Sequence, residues 1–381
     1  HQYMNAFKEF LAGDISGLVN DPLAWSPGEV GWYDMPWTAQ GSALPSGGVD
    51  PNSGREALIG SYTGQILQPN TFQTPSPAVP FQNHAVIYYN DVAGAFLGRI
   101  WKDVFGPDLT DTQFPEGSIC VKVEAATLTP KEWPPLEGAS KYYVYRPTVG
   151  AIDSLPPDQL QPEVVPVWFS QMAVAVKDFT ASPQTGWVYM AFAYDKDAKG
   201  KSVWEKAVPV GAMWGNDPEF ARLPAGKKKG VPLKETWVNP KAPQYTLETL
   251  GWGGRLAGPM DVATRHNVVT VSGKRYQGDD DLDASSCLSC HSAAQYPFFE
   301  NLYASPNVKF PEDGDQFLFY DPGSEEWARW FQNRPGTVPL SADLTEGVVS
   351  LDYDMLLTFA LMTYNVAAGN PLATPPRIHV H

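Results

Sequence analysis

The sequence predicts an α+β protein whose core is an antiparallel β-sheet with flanking helices. In residues 119–125, apolar side chains alternate with Cys120, Lys122 and Glu124, which is the period of a half-buried strand. Several other β-prone runs are bounded by turn residues, as expected of strands in such a sheet. The 36 prolines and 33 glycines among 381 residues indicate long irregular connections between these elements.

The first 82 residues are predicted to form a loop-rich segment that wraps the rest of the chain. Apolar residues at helical spacing predict one short amphipathic helix within residues 1–12. Residues 21–82 are rich in Pro, Gly, Ser and Asn, which favours irregular structure. Residues 83–381 are then predicted to form a β-rich domain with C-terminal helices.

The middle of the chain carries most of the predicted strands. They fall at residues 85–89, 119–125, 141–145, 172–176 and 186–194, and a helix is predicted at 92–104 after the first of them. The polar run 195–201 predicts a turn that reverses the chain toward residues 202–204. This pattern favours an antiparallel sheet over an all-helical fold.

Two helices are predicted near the C-terminus. Ser324 is a suitable N-cap for a helix over 325–333, because two glutamates fall in its first turn and Pro335 ends it. A last helix is predicted over 352–364, with Met355 and Met362 on one apolar face.

The charge balance excludes some classes of partner. The chain has 42 acidic and 27 basic residues and a net charge of −15, which argues against binding nucleic acid. An acidic surface can steer a basic redox partner, although solubility alone accounts for most such charges. Since no apolar run approaches the ~20 residues that a membrane helix needs, we expect a soluble protein without a membrane span. His1 is not an initiator methionine, so we expect a processed chain.

The most informative motif is Cys287-Leu288-Ser289-Cys290-His291, a C-x-x-C-H pentapeptide. Thiols one helical turn apart can add to the two vinyl groups of a haem, and the histidine can then ligate its iron. Ser285 and Ser286 before the motif and Ser289 within it suit the start of a short helix. The motif therefore predicts one covalent haem c, held by Cys287 and Cys290 and ligated by His291.

Two other interpretations of the cysteine pair are weaker. A structural zinc ion needs four ligands, and the sequence has no second C-x-x-C or matching histidine pair. A thioredoxin-like pair normally follows a βαβ pattern, which is not found nearby. With both motif cysteines used by haem, Cys120 has no partner for a disulfide. Because bacteria attach haem c outside the cytoplasm, we expect a periplasmic or secreted protein.

The order of elements resembles a family. The runs Val86–Asp91, Phe114–Lys122 and Gly186–Tyr194, followed by the C-x-x-C-H motif, resemble the β-sheet monohaem cytochromes. That family unites cytochrome c-prime-beta with the green, hydroxylamine-oxidising cytochromes. The resemblance covers residues 84–200 and the pentapeptide.

The resemblance implies a haem that lies against one face of the antiparallel sheet. In the family the iron face opposite the histidine is commonly open, so that it binds nitric oxide or a small nitrogen substrate. In the enzymatic members, a strand lysine near the haem is cross-linked to it, and Lys122 holds the matching position as candidate catalytic residue. An exposed strand lysine is the other interpretation of Lys122.

Whether a side chain is the sixth ligand of the iron decides between two candidate functions. Met355 and Met362 are candidate metal ligands that would suit electron transfer, and the remaining candidates are Met260, Met213, His266 and His84. The first function is therefore electron transfer between extracytoplasmic partners. The second is a haem enzyme or gas-binding protein with an open iron face, which takes a small-molecule ligand.

Overall fold

The computed structural model describes residues 1–223, 228, 230–261, 268–271, 274–277, 285–298, 324–340 and 347–369. Over these residues the protein is α+β, built on one antiparallel sheet of eight strands. The strands are β1 Tyr62–Leu67, β2 Phe81–Tyr89, β3 Ile119–Ala126, β4 Lys141–Arg146, β5 Glu163–Lys177, β6 Trp187–Tyr194, β7 Ala207–Met213 and β8 Thr236–Val238. The predicted α+β class with an antiparallel sheet and flanking helices is confirmed.

The strand order is β1-β2-β3-β5-β6-β7-β8, and β4 also pairs with β5. The 15-residue strand β5 makes this possible, because its first half pairs with β4 and its second half pairs with β3. Two further strand pairs lie outside this sheet, formed by β9 Val268–Val271, β10 Lys274–Gln277, β11 Gln295–Tyr296 and β12 Val349–Ser350.

Nine helices surround the sheet in the described part of the chain. They are α1 Gln2–Asn20, α2 Asp91–Ile100, α3 Val149–Ser154, α4 Val203–Lys206, α5 Pro218–Ala221, α6 Gln244–Leu247, α7 Cys287–His291, α8 Glu325–Trp330 and α9 Met355–Ala367. Of these helices, none is long and apolar enough to cross a membrane.

The two faces of the sheet belong to different apolar cores. The side chains of Val121 and Val123 on β3 pack in one core with α1, whose apolar face includes Ile15. The opposite face packs with α2, α7 and α9 in a second core. All eight residues of β6 are buried and alternate between the two cores, because this strand lies in the middle of the sheet.

Several predicted elements differ in extent. Helix α1 continues to Asn20, and β1 adds a strand from the N-terminal 82 residues to the sheet. Residues 202–204 were expected to follow a simple reversal, but Ser202 and Glu205 form a capping box that starts α4, and β7 begins only at Ala207. The reciprocal side-chain bonds of this box satisfy backbone N–H groups that the start of a helix would otherwise leave unpaired.

The last helix begins later than its apolar pattern predicts. Residues Asp352 and Tyr353 have φ angles of 50° and 65°, so the backbone is left-handed where the helix was expected to start. The carboxylate of Asp354 then accepts a hydrogen bond from the N–H of Leu357 and caps α9. The Ser324 cap of α8 is confirmed, since its hydroxyl accepts from Trp327 N–H.

Candidate haem-binding site

The C-x-x-C-H motif forms the short helix α7, whose start is fixed by its own serines. Ser286 accepts a hydrogen bond from the N–H of Ser289, and the Ser289 hydroxyl accepts from the N–H of Ser286. The Leu288 N–H donates to the sulfur of Met213 at the end of β7, and Leu288 is fully buried. These contacts anchor the helix against the sheet.

Both motif cysteines and His291 line one large cavity. The cavity has a volume of about 520 Å³, within the range of ~300–1,000 Å³ that is usual for ligand and cofactor sites. The two thiols are half-buried and form no disulfide. Burial raises the pKa of each thiol to about 12, and the Asp261 carboxylate contributes to the rise.

His291 is held in one tautomer by the backbone of the left-handed turn. Its Nδ1 lies 2.8 Å from the carbonyl oxygen of Tyr353, and a carbonyl can only accept, so Nδ1 carries the proton. The lone pair is then on Nε2, the nitrogen that can ligate a metal. Burial lowers the pKa of His291 to about 4, which keeps the imidazole neutral at pH 7.

The sheet supplies one wall of the cavity through alternate residues of neighbouring strands. These residues are Asn83, Ala85, Ile87 and Tyr89 of β2, Cys120, Lys122 and Glu124 of β3, Ala173 and Ala175 of β5, and Tyr189 of β6. The small alanines on β5 leave space above the sheet. A cavity that brings together a thiol pair, a neutral imidazole and one face of the sheet fits a covalently attached haem.

Lys122 points into this cavity, and it is not an exposed strand lysine. Its ammonium group lies 3.0 Å from a carboxylate oxygen of Glu124 and forms a second ion pair with Asp261. Asn83 and Gln171 donate to the Glu124 carboxylate, and Gln171 also bonds Asp261 at 2.9 Å. We call these five residues the lysine cluster.

The lysine cluster combines one cation with two carboxylates in a mostly buried place. Burial would lower the pKa of Lys122, but Asp261 and Glu124 outweigh it and raise the pKa above its usual value. Burial and the Asp261 charge raise the pKa of Glu124 to about 8. Glu124 is therefore a buried carboxyl group with a raised pKa beside the candidate haem site, and the Lys122 charge opposes that rise.

The candidate sixth ligands lie in different surroundings. Met355 lines the cavity, whereas Met362 is not among the described residues of its wall. Met213 and Met260 are fully buried in the core, and His84 points to the opposite face because its neighbours on β2 face the cavity. His266 lies outside the described residues.

Several residues at the site were not predicted from the sequence. Glu124 could have been found, because it lies two residues after Lys122 and so on the same strand face. Tyr353, Tyr189 and Asp261 come from distant parts of the chain, and no local pattern marks them. Tyr89 also faces the cavity and donates to the Asp354 carboxylate at 2.8 Å, and burial raises the pKa of Asp354 to about 6.

The described residues contain no group of three or more His, Cys, Asp or Glu side chains arranged to hold a metal ion directly. No protein-family model matches the chain, and no curated protein matches it either.

Proposed function

We propose that this protein is a c-type cytochrome that transfers electrons outside the cytoplasm. One haem would be attached through Cys287 and Cys290, with His291 as an axial ligand. The observation that carries the proposal is the convergence of two free thiols and a neutral imidazole on one cavity of about 520 Å³. The bond from His291 Nδ1 to Tyr353 supports it further, since ligating histidines usually donate their other ring N–H in this way.

The bound haem would supply a one-electron redox centre. The chain's own residues would perform the rest: Cys287 and Cys290 fix the group covalently, and Tyr353 orients the histidine. The cavity face of the sheet would supply one wall of the haem site. The net charge of −15 suits a basic redox partner, because opposite charges accelerate encounter between proteins.

Covalent attachment is the test of this proposal. We expect the chain, produced in a periplasm with c-type maturation enzymes, to retain haem on a denaturing gel stained for haem. The double variant Cys287→Ala/Cys290→Ala should lose that stain, because no thioether can form. The variant Cys120→Ala is the matched control and should keep it. A wild-type chain without covalent haem under these conditions would contradict the proposal.

A second candidate function is a haem enzyme or gas-binding protein with an open iron face. The lysine cluster favours it, because a carrier does not need a proton-holding group such as Glu124 beside its haem. Met355, the first residue of α9, lies two residues after Tyr353, whose carbonyl oxygen accepts a hydrogen bond from His291. In this candidate Met355 would line the cavity without ligating the iron, which would leave the iron free to bind a small molecule.

Carbon monoxide separates the two candidates. We expect the reduced protein to change its Soret spectrum on addition of carbon monoxide if the iron face is open, and to stay unchanged if a side chain ligates the iron tightly. Met355→Leu is the informative variant, because it should turn an unresponsive protein into a responsive one only if Met355 is the ligand. A wild-type spectrum that ignores the gas would contradict the open-face candidate.

A further inference from the structure

The carbonyl oxygen of Tyr353 accepts two hydrogen bonds at once. His291 donates from Nδ1 at 2.8 Å, and the hydroxyl of Tyr189 donates at 3.1 Å. A carbonyl oxygen has two lone pairs, so both bonds can form together. The rings of Tyr189 and His291 are also in contact, with centroids 4.7 Å apart. Tyr189 therefore acts on the same acceptor as the candidate iron ligand.

The shared carbonyl cannot easily move to favour one donor. It lies in the left-handed turn, where Asp352 is held by both of its carboxylate oxygens. Lys177 bonds these oxygens at 2.6 and 2.7 Å, and the N–H of Phe114 donates to one of them at 2.7 Å. Tyr353 is fixed at its other end, since its hydroxyl donates to the Arg334 carbonyl.

We propose that Tyr189 is a positioning residue that raises the reduction potential of the haem iron through the Tyr353 carbonyl. The inference rests on the proposed function. A hydrogen bond from Nδ1–H makes a ligating imidazole more basic, which stabilises ferric iron. A second donor on the same oxygen withdraws electron density from it and weakens the histidine bond. Tyr189 thus limits the electron donation of His291 and favours the ferrous state.

The variant Tyr189→Phe removes the second donor and keeps the ring. We expect the ferrous-to-ferric ratio at a fixed electrode potential to fall several-fold, up to about tenfold, which is ~59 mV for a one-electron couple. Spectroelectrochemical titration of the haem-loaded protein measures this shift. Tyr245→Phe is the matched control, because the buried Tyr245 hydroxyl also donates to a backbone carbonyl, at 2.8 Å, in a different place.

A second substitution tests the sign of the effect. Replacing Tyr189 with 3-fluorotyrosine makes the hydroxyl a stronger donor, so the ferrous-to-ferric ratio should rise. If Tyr189→Phe does not fold, the 3-fluorotyrosine variant alone tests the inference. A potential that is unchanged in either variant, or that moves the same way in both, would overturn the inference alone. A wild-type chain that never acquires haem would overturn the proposed function instead, and this inference with it.

Discussion

Lys177 is a buried charge whose ion-pair partner is the Asp352 carboxylate. The side chains of Lys177 and Asp352 are both fully buried. The indole N–H of Trp187 also donates a hydrogen bond to the Asp352 carboxylate, at 3.0 Å. Burial lowers the pKa of Lys177 even though Asp352 opposes the change. The rings of Phe179 and Trp187 lie within cation–π distance of the ammonium group, at 4.8 and 5.0 Å.

We expect Lys177→Met to lower the free energy of unfolding by about 3–5 kcal/mol, because it leaves Asp352 buried without a counter-charge. Urea unfolding followed by tryptophan fluorescence measures the loss. Lys234→Met is the control, since the Lys234–Glu219 pair is exposed to solvent and should contribute nothing measurable. A loss in Lys177→Met as small as in the control would contradict this role of the ion pair.

At the scale of elements, the segment after α8 packs directly on the left-handed turn. Gly336 has no side chain at the point where a Cβ atom would overlap the Asp352 carboxylate. The Tyr353 hydroxyl donates to the Arg334 carbonyl at 2.9 Å in the same contact. The turn that holds His291 is therefore fixed from two sides, by β5 through Lys177 and by this segment.

We expect Gly336→Ala to destabilise the protein by about 1–3 kcal/mol, because the added methyl group must displace the Asp352 carboxylate from its partners. Gly98→Ala is the matched control. Gly98 lies on the exposed face of α2 with open space around it, so alanine there should stabilise by ~0.5–1 kcal/mol. Thermal unfolding of the two variants side by side checks both signs, and equal effects would refute the packing argument.

Some element boundaries could be predicted because the responsible signal is local. The alternation in β3 gave both its extent and the shared face of Lys122 and Glu124. The S-x-x-E pattern of Ser202 and Glu205 was also readable as a cap, but only a chain reversal toward these residues was predicted. The left-handed conformation of Asp352 was not readable, since the carboxylate is bonded by Lys177, which is far away in the sequence.

At the scale of the whole molecule, the two faces of the sheet have different surroundings. One face is covered by α1 in a continuous apolar core, and the other forms the wall of the cavity. The C-x-x-C-H motif was visible in the sequence, and the strand that carries Lys122 was predicted from it. The sequence could not predict that they face the same space, because strand order and helix docking depend on contacts between distant residues. Asp261 joins the lysine cluster for the same reason.

The walls of the cavity come from nearly the full length of the described chain, from Thr38 to Thr363. The two thiols face inward, and the Leu288 contact with Met213 anchors their helix against the sheet. Under the proposed function, haem would be joined to two half-buried thiols on a helix that is docked against the sheet. Both thiols would be more accessible to an attaching enzyme before α7 docks, so we expect attachment to be faster on the unfolded chain than on the folded one.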